Sequence, residues 1–166
     1  MLFRSGSDVP GHSAAAARLA AAVKDVPTGT AWTHPYVTLN EVQATFEQAI
    51  QTLQTDGAFE TAVSTADVYA KVAAAGRDRE KRAEVLAAWA EAVQKQGGDF
   101  QSRFTTAANE FVSLATKPDL PATVRVDRLH RAAKLFLSAG DRPAHRETLA
   151  QLVKMPDLPE IGRAHV

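Results

Sequence analysis

From residue 38 to about residue 154, polar punctuation alternates with stretches in which apolar residues recur three and four positions apart. Three of these stretches end on a glycine: Gly57, Gly97 and Gly140. Counted back from each glycine, the same offsets carry the same kind of residue. Phe46, Ala49, Ile50 and Leu53 precede the first; Leu86, Trp89, Ala90 and Val93 the second; Leu129, Ala132, Ala133 and Phe136 the third. Spacing of i, i+3, i+4 and i+7 gathers such residues on one stripe of an α-helix. Small residues in the middle of the stripe let a second helix come close. The glycine then supplies the left-handed residue that ends the helix. The pattern predicts helices near 12–25, 39–55, 58–75, 79–96, 99–116, 120–139 and 142–154. It also predicts that Phe46, Leu53, Leu86, Trp89, Leu129 and Phe136 are buried between helices.

A second helix follows each glycine. "GAFETAVSTADVYAKVA" (57–73) and "GDFQSRFTTAANEFVSLA" (98–115) share a phenylalanine two residues after the glycine and a Thr-Ala at one offset, Thr65-Ala66 and Thr106-Ala107. "KPDLP" (117–121) and "KMPDLP" (154–159) then punctuate, with "KDVP" (24–27) as a shorter relative. Proline stops a helix, and an aspartate can cap the next. The glycines stand 40 and 43 residues apart. The expected fold is therefore all-α, a right-handed α-solenoid of antiparallel helix pairs, each pair burying its stripe against its neighbours. Residues 1–166 read as one helical-repeat domain of about three full units with half-units at both ends. Residues 1–27 form a partial unit and 28–38 a loop; 39–76, 77–118 and 119–156 are units; 157–166 start another. "FRSGSDVPGH" (3–12) resembles "FLSAGDRPAH" (136–145), which suggests a fragment of a longer chain.

The order of stripe, glycine turn, second helix and proline resembles the tetratricopeptide repeat, in a divergent form with units near 40 residues. Leu129, Ala132, Ala133, Phe136, Gly140 and Asp141 carry the likeness most closely, and Ala62 stands where the family places an alanine early in the second helix. The likeness spans roughly residues 38 to 159. It implies that the first helices line a concave groove and that the chain is a protein–protein interaction scaffold holding a protein or peptide. Positions flanking the stripe would line that groove: Glu47, Gln51 and Gln54, then Glu84, Glu91 and Gln94, then Asp127, His130 and Lys134. Family members that clamp a terminal carboxylate use Lys, Arg and Asn there. The Glu and Gln of the first two units suit a basic or neutral polar segment better. The alternative is that these faces are only solvated, and that the array is a structural spacer or assembly segment with no groove ligand.

Composition narrows the function further. Hydrophobic residues make up 45% of the chain, enough for a core. Nineteen basic and nineteen acidic side chains cancel, which argues against a nucleic-acid binder. No stretch reaches the roughly 18 to 20 apolar residues of a membrane span, so direct membrane insertion is not expected. "AAAARLAAAV" (14–23) is broken by Arg18 and reads as a short helix. Without cysteine there is no disulfide, thiolate nucleophile or cysteine-based zinc site. His12, His34, His130, His145 and His165 show no metal-ligand spacing. No phosphate loop or nucleophile elbow is present, so neither enzyme activity nor a cofactor is expected.

Three local features remain open. In "VPTGTAWTHPYVT" (26–38), Trp32 and Tyr36 either fold back to seal the core or form an aromatic contact loop. Thr38, with Glu41 three residues on, ends the loop as a capping box. "RDREKR" (77–82) is a solvated helix start or a docking patch. Residues 40–75 carry five acids against Lys71, whereas 117–146 carry seven bases against Asp119, Asp127 and Asp141. Such an asymmetry allows weak head-to-tail self-association that salt would screen; the alternative is a monomer.

Overall fold

A computed structural model describes residues 9–24, 32, 36–73, 79–117 and 120–155, and these form seven helices with no strand among them. They are α1 (Val9–Ala22), α2 (Leu39–Thr55), α3 (Phe59–Tyr69), α4 (Glu80–Lys95), α5 (Gln101–Ala115), α6 (Ala122–Ala139) and α7 (Arg142–Val153). The fold is all-α, as expected. Most of the aromatic loop, the Pro-Asp-Leu-Pro of 156–159, the segment 157–166 and most of residues 3–12 lie outside the described residues. The chain groups into two compact units, 1–81 and 82–166.

In the first unit, α2 buries Val42, Phe46, Ile50 and Leu53 along one face. Its partner α3 runs antiparallel. The Tyr69 ring lies 5.9 Å from that of Phe46, and Gln43 Nε2 donates to the Val72 carbonyl 2.6 Å away. α1 adds buried Ala16 and reaches the end of α2 through His12 Nδ1, 2.6 Å from Asp56 Oδ2. α3 ends at Tyr69, about a turn and a half before the expected position. A turn follows that keeps Val72 buried, and the Gln43 amide satisfies one carbonyl there.

In the second unit each helix runs antiparallel to the next. Arg82 and Glu110 join α4 to α5 at one end, and the Arg103 guanidinium lies 4.3 Å over the Trp89 ring further along. α6 packs on both. Ala83 of α4, Ala108 and Phe111 of α5, and Ala132 and Phe136 of α6 form one buried cluster; Ala90, Phe104 and Ala139 form the next. These pairings make α4 and α6 parallel. Arg128, almost wholly buried, donates from Nη1 to the Leu114 carbonyl at 3.0 Å. Its cation thus sits at the negative end of the α5 dipole. α7 closes the unit by packing Leu152 against Leu129 and Ala115.

The glycine stops match expectation in all three places. Gly57, Gly97 and Gly140 have φ of 75°, 75° and 79°. Each is followed by a residue whose N–H bonds five residues back: Ala58 to Leu53 at 2.8 Å, Gly98 to Val93 at 3.0 Å, Asp141 to Phe136 at 2.9 Å. This is the paired-bond ending that satisfies the last carbonyls of a helix. Of the six stripe residues, five are buried; Trp89 is only half-buried and carries Arg103 on its ring face.

Candidate functional site

The parallel course of α4 and α6 leaves a cleft between them, floored by α5. It encloses about 480 Å³ and is lined by Glu84, Ala87, Ala88 and Glu91 on α4, by Phe104 and Phe111 on α5, and by Arg131, Lys134, Leu135 and Ser138 on α6. The lining has a physical order. Phe104 and Phe111 lie at its base and are nearly buried in the core. Ala87, Ala88 and Ser138 are short, so the walls stand back. The charged groups occupy the rims.

One end of the cleft is bridged. Arg131 Nη1 lies 3.2 Å from Glu84 Oε1, Arg131 Nε lies 2.9 Å from Asp127 Oδ2, and the guanidinium stands 5.6 Å from the Phe111 ring centre. Glu91 and Lys134 are different. Both are exposed, and neither has an ion-pair or hydrogen-bond partner among the described residues.

Of the nine residues expected to line a groove, Glu84, Glu91 and Lys134 come together here. Asp127 stands behind the cleft as the second carboxylate on Arg131. His130 and Gln94 are exposed outside it. In the first unit, Glu47 accepts the Tyr69 hydroxyl at 2.7 Å, Gln51 is exposed, and Gln54 is half-buried. The expected groove positions were stripe-flanking ones, counted from the glycine in the same sense on every first helix. The cleft instead uses opposing faces: Ala87 lines it on α4, whereas His130, its counterpart by offset from the glycine, lies outside it.

The sequence reading also missed the floor and Arg131. Phe104 and Phe111 belong to a second helix and read simply as core. Arg131 could have been found from its place on α6, one turn before Lys134 on the side facing away from the α7 contacts. His145 Nδ1 lies 2.8 Å from the Ala133 carbonyl, and His130 is exposed on the same helix. Of the aromatic loop, Trp32 is half-buried with Nε1 donating to the Val37 carbonyl, while Tyr36 is 90% exposed. Tyr36 therefore does not seal the core.

No group of three or more His, Cys, Asp or Glu able to hold a metal occurs among the described residues, and none of their helices is long and apolar enough to cross a membrane. Compared with models of known families, with curated proteins and with solved structures, the chain matches none.

Proposed function

We propose that the chain is a non-catalytic protein–protein interaction scaffold built from tetratricopeptide-like units of a right-handed solenoid, and that the α4–α6 cleft holds the partner. The observation that carries this is the open cleft with an aromatic floor. It lies where α6 packs across a preceding helix pair, so two first helices form its walls and a second helix its base. Concave sites with an apolar lining and a few polar groups at the edge are suited to recognition. A spacer with no groove ligand is the second reading. It draws on the internal engagement of Arg131 by Glu84 and Asp127, and of Glu47 by Tyr69, which leaves less of the lining free for a partner.

A photo-crosslinking amino acid placed at Ala88, inside the cleft, and separately at Gln101, exposed on α5, separates the two readings in the intact protein. The scaffold reading expects a discrete adduct from Ala88 and none from Gln101. No adduct from either position, or the same pattern from both, overturns it.

A further inference from the structure

We infer that the occupant of this cleft is an amphipathic helix carrying a base on one flank of its apolar stripe and an acid on the other. This rests on the scaffold reading above and specifies the partner's chemistry.

Hydrogen bonding selects the backbone form. The walls are helices, whose main-chain groups are already paired along their length. They offer a ligand only side chains, and the polar ones in the cleft are two carboxylates, two cations and a hydroxyl, with no amide among them. An extended segment would bring a row of N–H and C=O groups onto an apolar floor with little to receive them, at a large desolvation cost. A helix arrives with those groups satisfied and needs only an apolar stripe. The structure already shows this packing once. α6 seats Ala132 and Phe136 on the same α4–α5 surface. The short side chains of Ala87, Ala88 and Ser138 keep the adjoining strip equally approachable, because helix axes 8–10 Å apart need small residues at the contact.

Charge then sets the orientation. Arg131 is committed to Glu84 and Asp127, so it bridges one end of the cleft. Glu91 and Lys134 remain, one on each wall, without partners among the described residues. α4 and α6 run parallel, and both the Glu84–Arg131 pair and the shared cluster of Ala90 and Ala139 place Glu91 further along the cleft than Lys134. The two free charges are therefore offset along the cleft by roughly one to two helical turns. A bound helix meets both when its base and its acid are one to two turns apart on opposite flanks of the stripe. Exchanging the two flanks turns two attractions into two repulsions.

The test uses a fluorescently labelled, helix-stapled peptide of about four turns. It carries a Leu/Ala stripe, a lysine on the flank that meets Glu91 and a glutamate on the flank that meets Lys134. The comparison peptides are the same helix with the two flanks exchanged, a helix with acids on both flanks, and an unstapled proline-containing peptide of the same composition. At low salt, fluorescence anisotropy should give roughly three- to tenfold tighter binding for the first peptide than for the exchanged one, as expected for partly exposed ion pairs. The gap should shrink as salt screens it. The double variant Glu91→Lys/Lys134→Glu should invert the ranking. Both side chains are exposed, so its circular dichroism and melting temperature should match the parent protein. Equal affinity for the two helices, tighter binding of the all-acid helix, or tighter binding of the proline peptide each overturns the inference. If no peptide binds while Ala88 still crosslinks a partner, the helical occupant is wrong and the scaffold reading stands.

Discussion

The pairs α2–α3 and α6–α7 stop their first helices identically and start their helices differently. Gly57 and Gly140 share a left-handed φ and the same two backbone bonds across the turn. The starts do not match. α2 opens with a full capping box: Glu41 N–H donates to Thr38 Oγ1 at 3.2 Å, and Thr38 N–H donates to Glu41 Oε2 at 2.8 Å. Its partner α3 follows Ala58 with no side-chain cap. In the other pair, α6 follows Pro121 without a side-chain cap, and α7 opens on Asp141, whose Oδ1 accepts from Ala144 N–H at 3.1 Å. Each of these two pairs carries one side-chain cap, on the first helix in one and on the second in the other. A turn residue at positive φ has few substitutes. A helix start has many, because tertiary packing of the stripe supplies most of the stability.

The largest expected effects test what the pairs share. Phe46 and Phe136 are both nearly inaccessible to solvent. Each replacement by alanine should cost about 3–5 kcal/mol in chemical denaturation. A loss of under about 1 kcal/mol at either site would break the equivalence of the two stripes. Next come the stops. A Cβ at Gly57 or Gly140 meets nothing within 4 Å, so Gly57→Val and Gly140→Val are penalised through the backbone alone. Each should lose more than about 1 kcal/mol. An unchanged melting temperature for one of them would show that its turn can be made another way.

The same contrast explains what the sequence made legible. Helix stops were readable because glycine marks the ends of α2, α4 and α6 and a proline-bearing segment follows α1, α5 and α7, and six of the seven helices end within about three residues of expectation. The exception, α3, lacks a glycine before residue 76. It ends where Gln43, from another helix, meets the Val72 carbonyl, and no local pattern encodes that contact. The start of α1 fell earlier than expected because Pro10 is tolerated in a first turn. Stripe burial was readable except at Trp89, where Arg103 covers a ring that a helical wheel places toward the core. The site was legible only by its rims. Glu84, Glu91 and Lys134 could be placed by counting from the glycines. Which face of α6 opposes which face of α4 is a tertiary property, so Ala87, Ser138 and Arg131 were not found and His130 lies outside this cleft.

The caps allow a transplant. Ala58 and Asp141 precede their helices with similar backbones, φ −82° and ψ 54° against φ −82° and ψ 78°. Asp141→Ala should therefore lose about 0.5–2 kcal/mol, and Ala58→Asp should gain about 0.5–1 kcal/mol by supplying α3 with the acceptor it lacks. The measurement is the shift in denaturation midpoint for each variant and for the pair combined. No gain from Ala58→Asp would mean that the first turn of α3 is already satisfied in a way that α7 without its aspartate is not.

The smallest effect separates the two first helices. α6 has no acidic residue in its first turn, whereas α2 has Glu41. The backbone N–H of Thr38, and next its hydroxyl, hold the Glu41 carboxyl below the ordinary glutamate range. A carboxylate whose pKa is depressed on folding stabilises the fold above its unfolded value, and that contribution disappears as pH falls through the lower folded value. The start of α2 should thus loosen in acid, over the interval just below the usual glutamate titration. Thr38→Ala removes the weaker donor and keeps the main-chain one, so the Glu41 pKa should rise only part of the way back. Carbon-detected NMR titration of the Glu41 carboxyl reads this directly. A midpoint at or above the ordinary glutamate value in the parent protein, or full reversion in Thr38→Ala, would show that the backbone bond does not set it. The first outcome would remove the Glu41 carboxylate from the cap of α2; the second would assign it to the Thr38 hydroxyl, which also accepts from Glu41 N–H.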